Sequence, residues 1–288
     1  MADPSSGGTM NYTVGQFASR PVYTVDVSAA VMEALKLMSL KRISCVVVLE
    51  QGEPIGILTE RDVIFASNWV LGQKELQVRE VMNKPVLTVS QEMQVSRAYE
   101  VFREHRIRHL VVLNDRLDMD GIFTQTDLVR ALRGEAFANF QDISGLMSAQ
   151  VLHVTPDVSA RYALSQMARR AVSCVVVVEN GRPCGVFTER DVVRLVAEGV
   201  DLTNVSVATV MSSSLVTASC STSPDSAIGL MQNHSVRRLV VLNSDGQMAG
   251  VLTQTDLGRA LDPFMRHPVL PELFEQAGAG KGSYAHFH

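Results

Sequence analysis

Hydrophobic and polar positions along this chain run through one cycle four times. In the first cycle Pro21-Val-Tyr-Thr24 has strand character, and Val31, Ala34, Leu35 and Met38 then fall at the spacing of a helix that begins after Ser28. The apolar run at residues 45–49 predicts a buried strand, Gln51-Gly52-Glu53-Pro54 a turn, and residues 55–58 a returning strand. The third cycle repeats the design, with a valine run after Cys174 and an Asn180-Gly181 pair that is a strong hairpin signal between β-rich segments. A second helix closes each cycle. Strand, helix, strand, strand and helix in that order predict a mixed α/β (α+β) architecture.

The closing helix of every cycle opens on the same phrase, two apolar residues and Thr-x-x-Asp behind a glycine. It reads Gly56-Ile-Leu-Thr59-Glu-Arg-Asp62, Gly121-Ile-Phe-Thr124-Gln-Thr-Asp127, Gly185-Val-Phe-Thr188-Glu-Arg-Asp191 and Gly250-Val-Leu-Thr253-Gln-Thr-Asp256. The aspartates recur at steps of 65, 64 and 65 residues, and the variable pair alternates between Glu-Arg and Gln-Thr, so the chain is a repeat of a repeat. Val81-Met82, Leu146-Met147 and Val210-Met211 lead into the later cycles, whereas the first has Phe17-Ala18 there. The boundaries read as an N-terminal tail at 1–14, units at 15–71, 78–134, 142–200 and 206–262, and a tail or truncated linker at 263–288. Four near-copies of one phrase suit repeated ligand clefts better than a catalytic centre, which needs unlike residues converging on a point.

Composition narrows the function classes. The 288 residues are 46% hydrophobic, enough for packed cores, and the net charge of -4 argues against a nucleic-acid or anionic-membrane surface. No apolar run approaches the roughly 20 residues that cross a bilayer, and the first residues lack a secretion signal, so the sequence reads as cytoplasmic, with no membrane insertion. Cys45, Cys174, Cys184 and Cys220 have the spacing of neither a zinc site nor a disulfide scaffold, and Cys45 and Cys174 read as small buried side chains. No nucleophile and base pair, metal cluster or dinucleotide fingerprint is recognisable, so no enzyme is expected. Gly280-Lys281 is not a phosphate loop, because Glu275 stands where its first glycine belongs. His153 reads as a packed or edge residue and Trp69 as packing.

Two readings of Thr-x-x-Asp stand level on physics alone. Threonine at an N-cap with an acid three residues on is a capping box that also meets the positive end of the helix dipole. Such boxes prefer Glu or Gln, yet all four units use the shorter Asp. A helix N-terminus with a Thr hydroxyl can equally seat a phosphate while a nearby carboxylate accepts both hydroxyls of a ribose. The glycine either lets a ligand approach the backbone or marks a bulge.

From residue 15 to 262 the pattern resembles the CBS (cystathionine β-synthase) domain family: the lead-in Met, the valine-rich strand and the Gly-h-h-Thr-x-x-Asp phrase recur together and in order. The resemblance implies four tandem CBS units paired through their sheets into two pseudosymmetric Bateman modules, with clefts that bind adenosine nucleotides. Carried over, it implies ribose contacts from Asp62, Asp127, Asp191 and Asp256 and phosphate contacts from Thr59, Thr124, Thr188 and Thr253. Arg108-His109 and Arg237-Arg238 resemble the His-Arg pair that contacts phosphates in the regulatory gamma subunit of AMP-activated protein kinase. The odd units have Ser44-Cys45 and Ser173-Cys174 there, and Arg61 and Arg190 are candidate substitutes or surface ion-pair partners. Val22, Val86, Val151 and Val216 are candidates for an adenine slot, or ordinary core. The expectation is a regulatory sensor of AMP, ADP or ATP, with Mg accompanying ATP, that signals to an effector and forms a homodimer. The alternative is a ligand-free dimerisation scaffold.

Overall fold

The computed structural model describes residues 12–66, 76–262 and 286–287. The readings for Trp69, for Gly280-Lys281 and for nearly all of the C-terminal tail fall outside them. The chain divides into two compact units, Met1–Val22 with Leu87–Leu132 and Met265–His288, and Tyr23–Val86 with Arg133–Phe264. The body of the second repeat and the lead-in of the first thus belong to one unit, and the body of the first, the lead-in of the second and the third and fourth repeats to the other.

Every repeat builds the same three-stranded sheet, in which a short first strand runs parallel to a central strand that is antiparallel to the third. In the first repeat β1 (Thr24–Asp26), β2 (Cys45–Glu50) and β3 (Glu53–Thr59) lie in that order, and β1 reaches β2 through the helix Val31–Lys41. The second repeat has β4 (Thr88–Ser90), β5 (His109–Leu113) and β6 (Met119–Thr124), with the backbone of β13 (His286–Phe287) added outside β4. The third has β7 (His153–Val154), β8 (Cys174–Glu179) and β9 (Arg182–Thr188), and the fourth β10 (Thr217–Ser219), β11 (Arg238–Leu242) and β12 (Met248–Thr253). A crossover helix is what a parallel neighbour requires, and a tight turn is all that an antiparallel one needs. Asn180 and Gly181 both take positive φ, 50° and 77°, the conformation that matches the twist of a two-residue hairpin. The even repeats use longer turns, in which Asn114 and Asn243 fold their side chains onto the backbone of the turn.

The valine runs are buried because both faces of the central strands are covered. Val46, Val47 and Val48 are fully enclosed, as are Val175, Val176 and Val177. Repeats one and three share one continuous core: Ala34, Leu35 and Met38 from the helix Val31–Lys41 join Val192, Val193, Leu195 and Val196 from the helix Glu189–Ala197. Repeats three and four meet through their sheets, where Val176 packs with Val240 and Val251. Sheet-to-sheet pairing was implied by the sequence resemblance. The helix-mediated core between repeats one and three was not, since no pattern within a helix says which other helix it faces.

The segments that lead into the repeats are exchanged. Val14 N donates to Met93 O, and Ser19 forms an antiparallel bridge with Ile122, so the lead-in of the first repeat docks on the second. Val31 N donates to Leu76 O, and Asn83 bridges Ile57, so the lead-in of the second docks on the first. Ser148 bridges Val251, and Ser212 bridges Val186, which repeats the exchange between the third and fourth. Each third strand thereby gains a short partner along its outer edge, which shields otherwise unpaired backbone groups.

Candidate ligand clefts at the Thr-x-x-Asp turns

Each third strand ends at the motif threonine, and a helix starts at once: Glu60–Phe65, Gln125–Ala131, Glu189–Ala197 and Gln254–Ala260. Thr59, Thr124, Thr188 and Thr253 have extended backbones and occupy the N-caps. Their hydroxyls donate to Oδ2 of Asp62, Asp127, Asp191 and Asp256 at 2.7, 2.7, 2.7 and 2.6 Å. Their backbone N–H groups donate to the same oxygens at 2.8 to 2.9 Å. The capping box is complete at all four turns. It uses one oxygen of each carboxylate.

The other oxygen takes a different partner from turn to turn. Oδ1 of Asp62 accepts from Asn83 Nδ2 at 2.6 Å, and Oδ1 of Asp256 from Ser148 Oγ at 3.2 Å. Both donors sit on exchanged lead-ins, directly after Met82 and Met147. Oδ1 of Asp127 is met by Arg130 at 2.9 Å and Oδ1 of Asp191 by Arg194 at 3.7 Å. Burial pushes the carboxyls of Asp127 and Asp191 above their ordinary 3.8, against the threonine hydrogen bonds and the arginines that pull them down. A carboxylate that is short of solvation has unused capacity for hydroxyl donors.

The same exchange accounts for the glycines. A Cβ on Gly250 would lie 2.8 Å from both Met147 Sδ and Ser148 O, and one on Gly56 would lie 2.5 Å from Met82 Sδ. On Gly185 it would collide with Met211. On Gly121 it would meet Ala18 Cβ at 2.8 Å, so the departure at Phe17-Ala18 puts a small residue where the other lead-ins carry methionine. The sequence readings offered ligand approach or a bulge. A register shift does follow opposite each glycine, as between Val48 and Leu49, and the immediate neighbour of the glycine is a protein side chain.

The basic candidates divide into two groups. Arg61 and Arg190 form reciprocal ion pairs across repeats one and three: Arg61 Nε lies 3.6 Å from Glu189 Oε1, and Arg190 Nε 3.2 Å from Glu60 Oε1. Arg61 also donates to Ala171 O at 3.3 Å. Arg237, from the fourth repeat, reaches Oε2 of Glu60, and Arg238 Nη1 donates to Ser173 O at 2.9 Å. Burial pushes the Glu60 carboxyl up, but Arg237 and Arg190 outweigh it and hold the group below its ordinary value. Arg108 and His109 occupy the corresponding places in the second repeat, with His109 opposite Thr124 as Arg238 is opposite Thr253. Cys45 and Cys174 take that position opposite Thr59 and Thr188. Burial, with help from Glu60, pushes the Cys45 thiol up to about 12, which leaves it without nucleophilic character at neutral pH.

The four valines immediately precede or adjoin the first strands. Val86 is buried and donates to Ile55 O, Val151 packs against the shared core of repeats three and four, and Val216 O accepts from Val240 N. Val22 is half-buried. His153 lies exposed on edge strand β7. Sequence reasoning missed Asn83 and Ser148 as partners of the motif aspartates, and Glu60 and Glu189 as partners of the motif arginines. The signal available for the first two was a short polar residue after the lead-in methionine. Among the described residues no group of His, Cys, Asp and Glu could hold a metal ion, and no helix is long and apolar enough to cross a membrane.

The CBS domain pattern matches residues 14–68, 78–134, 142–198 and 207–263, four copies in tandem. The chain belongs to the CBS domain family. Its relatives include the meiotically up-regulated gene 70 protein of Schizosaccharomyces pombe, 26% identical over 92% of this chain and 45% of that one. Protein MJ1225 of Methanocaldococcus jannaschii is 21% identical over 83% of this chain and 95% of its own length. The crystal structure of MJ1225 superposes with a TM-score of 0.75, covering 88% of this CBS chain and all of that one at 20% identity, which shows a common fold. A structure from Pyrococcus horikoshii gives 0.59 over 87% of this chain at 18% identity. The chain spans less than half of the Schizosaccharomyces pombe relative. Family membership supports a ligand-binding regulatory module.

Proposed function

We propose that this CBS protein is a regulatory sensor of adenine nucleotides, AMP, ADP or ATP, with Mg accompanying ATP. In this reading Asp62, Asp127, Asp191 and Asp256 hold the ribose through Oδ1, and Thr59, Thr124, Thr188 and Thr253 seat phosphate. Arg237, Arg238, Arg108 and His109 supply positive charge, and the region of Val22, Val86, Val151 and Val216 borders the base. Arg61 and Arg190 act first as ties between repeats one and three. The observation that supports the reading is the split carboxylate: one oxygen is spent on the helix cap, and the other is left to a side chain of an exchanged segment at Asp62 and Asp256 and to an arginine of the same helix at Asp127 and Asp191. A diol offers two donors to such a group, and the poorly solvated Asp127 and Asp191 have the most to gain from them. Occupancy is passed to an effector by differential affinity between two packings of the repeats, in a cytoplasmic homodimer that binds neither nucleic acid nor membrane.

The complete capping boxes favour a second reading, a scaffold with no ligand. One experiment separates the two. A nucleotide present at about 100 times its Kd stabilises the folded protein by about 2.7 kcal/mol, so AMP, ADP or ATP at saturation raises Tm under the sensor reading. Asp191→Ala with Asp256→Ala reduces that rise, and alanine at all four motif aspartates abolishes it. No shift with any of the three nucleotides overturns the nucleotide-sensor reading and favours the scaffold.

A further inference from the structure

Five charged side chains from three repeats meet around Glu60 and Glu189. Both carboxylates are buried, each only 2% exposed, and Arg61, Arg190 and Arg237 face them. Arg61–Glu189 and Arg190–Glu60 are mutual exchanges between the Glu-Arg forms of the motif, and Arg237 comes from the fourth repeat as a second guanidinium on Glu60.

The backbone of Arg237 belongs to another place. Its carbonyl accepts from Gln254 N at 3.1 Å, immediately after Thr253, and the next residue, Arg238, lies opposite Thr253 in the sheet. The Arg237 side chain is therefore rooted beside the cleft of the fourth repeat and reaches away from it to repeat one. A long arginine pivoting on a fixed Cα has two anionic destinations, Glu60 and an anion seated at Thr253.

Resting on the nucleotide reading above, we propose that Glu60 is a resident counter-anion that competes with the nucleotide phosphate for Arg237. Withdrawal of Arg237 leaves Glu60 paired with Arg190, so no buried carboxylate is stranded, and a phosphate carries more charge than the carboxylate it replaces. Filling the cleft of the fourth repeat thereby releases its tie to the first, which converts occupancy into a change of packing.

The test is calorimetry on the full chain with AMP, ADP, ATP and adenosine. Glu60→Gln preserves size and removes the competing charge: it tightens binding of the three nucleotides by about tenfold and leaves adenosine unaffected. Arg237→Gln weakens the nucleotides by a similar factor, and in that background Glu60→Gln has no further effect. Nucleotide affinities that stay the same or fall in Glu60→Gln, while wild type binds, overturn the competition and leave the sensor reading standing. Absence of binding by wild type overturns both. Should Glu60→Gln fail to fold, Arg237→Gln decides alone, because wild-type nucleotide affinity in that variant refutes the competition.

Discussion

Asp191 serves two masters at once. Its Oδ2 closes the capping box with Thr188, and its Oδ1 is left to Arg194 at 3.7 Å, in a setting where burial raises its pKa. A folded-state carboxyl raised above its unfolded value contributes stability below the ordinary 3.8 and loses that contribution as pH climbs through the raised value. Asp191→Asn, which cannot ionise, therefore gains stability relative to wild type between about pH 4 and pH 7, whatever its cost at either pH alone. Urea midpoints at the two pH values measure this, and a difference that does not change with pH refutes it. The choice of Asp over Glu now has a geometric account. The shorter side chain keeps Oδ2 on its own threonine's N–H and hydroxyl and leaves the second oxygen to other partners.

At the scale of elements, the exchanged lead-ins decide which substitutions the glycines tolerate. A Cβ on Gly250 meets the backbone carbonyl of Ser148 as well as Met147 Sδ, and that carbonyl is fixed by the bridge to Val251. A Cβ on Gly185 meets only atoms of the Met211 side chain among its three nearest neighbours, and methionine has rotamers to spare. Gly250→Ala is expected to cost about 1–3 kcal/mol, the range for overpacking. Gly185→Ala costs less, and Met211→Ala in the same chain relieves part of that cost. Chemical denaturation of the three variants checks the order; equal losses at Gly185 and Gly250 would show that the lead-in backbone is not the obstacle.

For the molecule as a whole, the buried ions link repeats that are distant in sequence. Glu60 is held by Arg190 and Arg237, and either one alone keeps it paired. Arg190→Met should thus be mild by itself. Arg237→Met introduced into that background strands a buried carboxylate and is expected to cost about 3–5 kcal/mol, more than the same change in wild type. A double-mutant cycle by urea unfolding reads the coupling directly. Equal costs in both backgrounds contradict shared custody of Glu60. Because these groups lie at the junction of repeats one, three and four, the energy is a term in how the repeats pack, and it belongs to no single repeat.

The four-fold cycle, its strand and helix order, the Asn180-Gly181 hairpin and the Thr-x-x-Asp caps were all legible in the residues, because each depends on neighbours within about seven positions along the chain. Membership of the CBS family was legible for the same reason: its motifs are local. Tertiary structure alone decided that Met147 and Met211 press on Gly250 and Gly185 of the other repeat, that Ser148 and Asn83 meet the aspartates, and that Arg190 pairs with a glutamate from a different repeat. Those choices join residues of identical local character across long loops. Periodicity marks which face of an element is apolar or charged, and only packing selects the partner that the face receives.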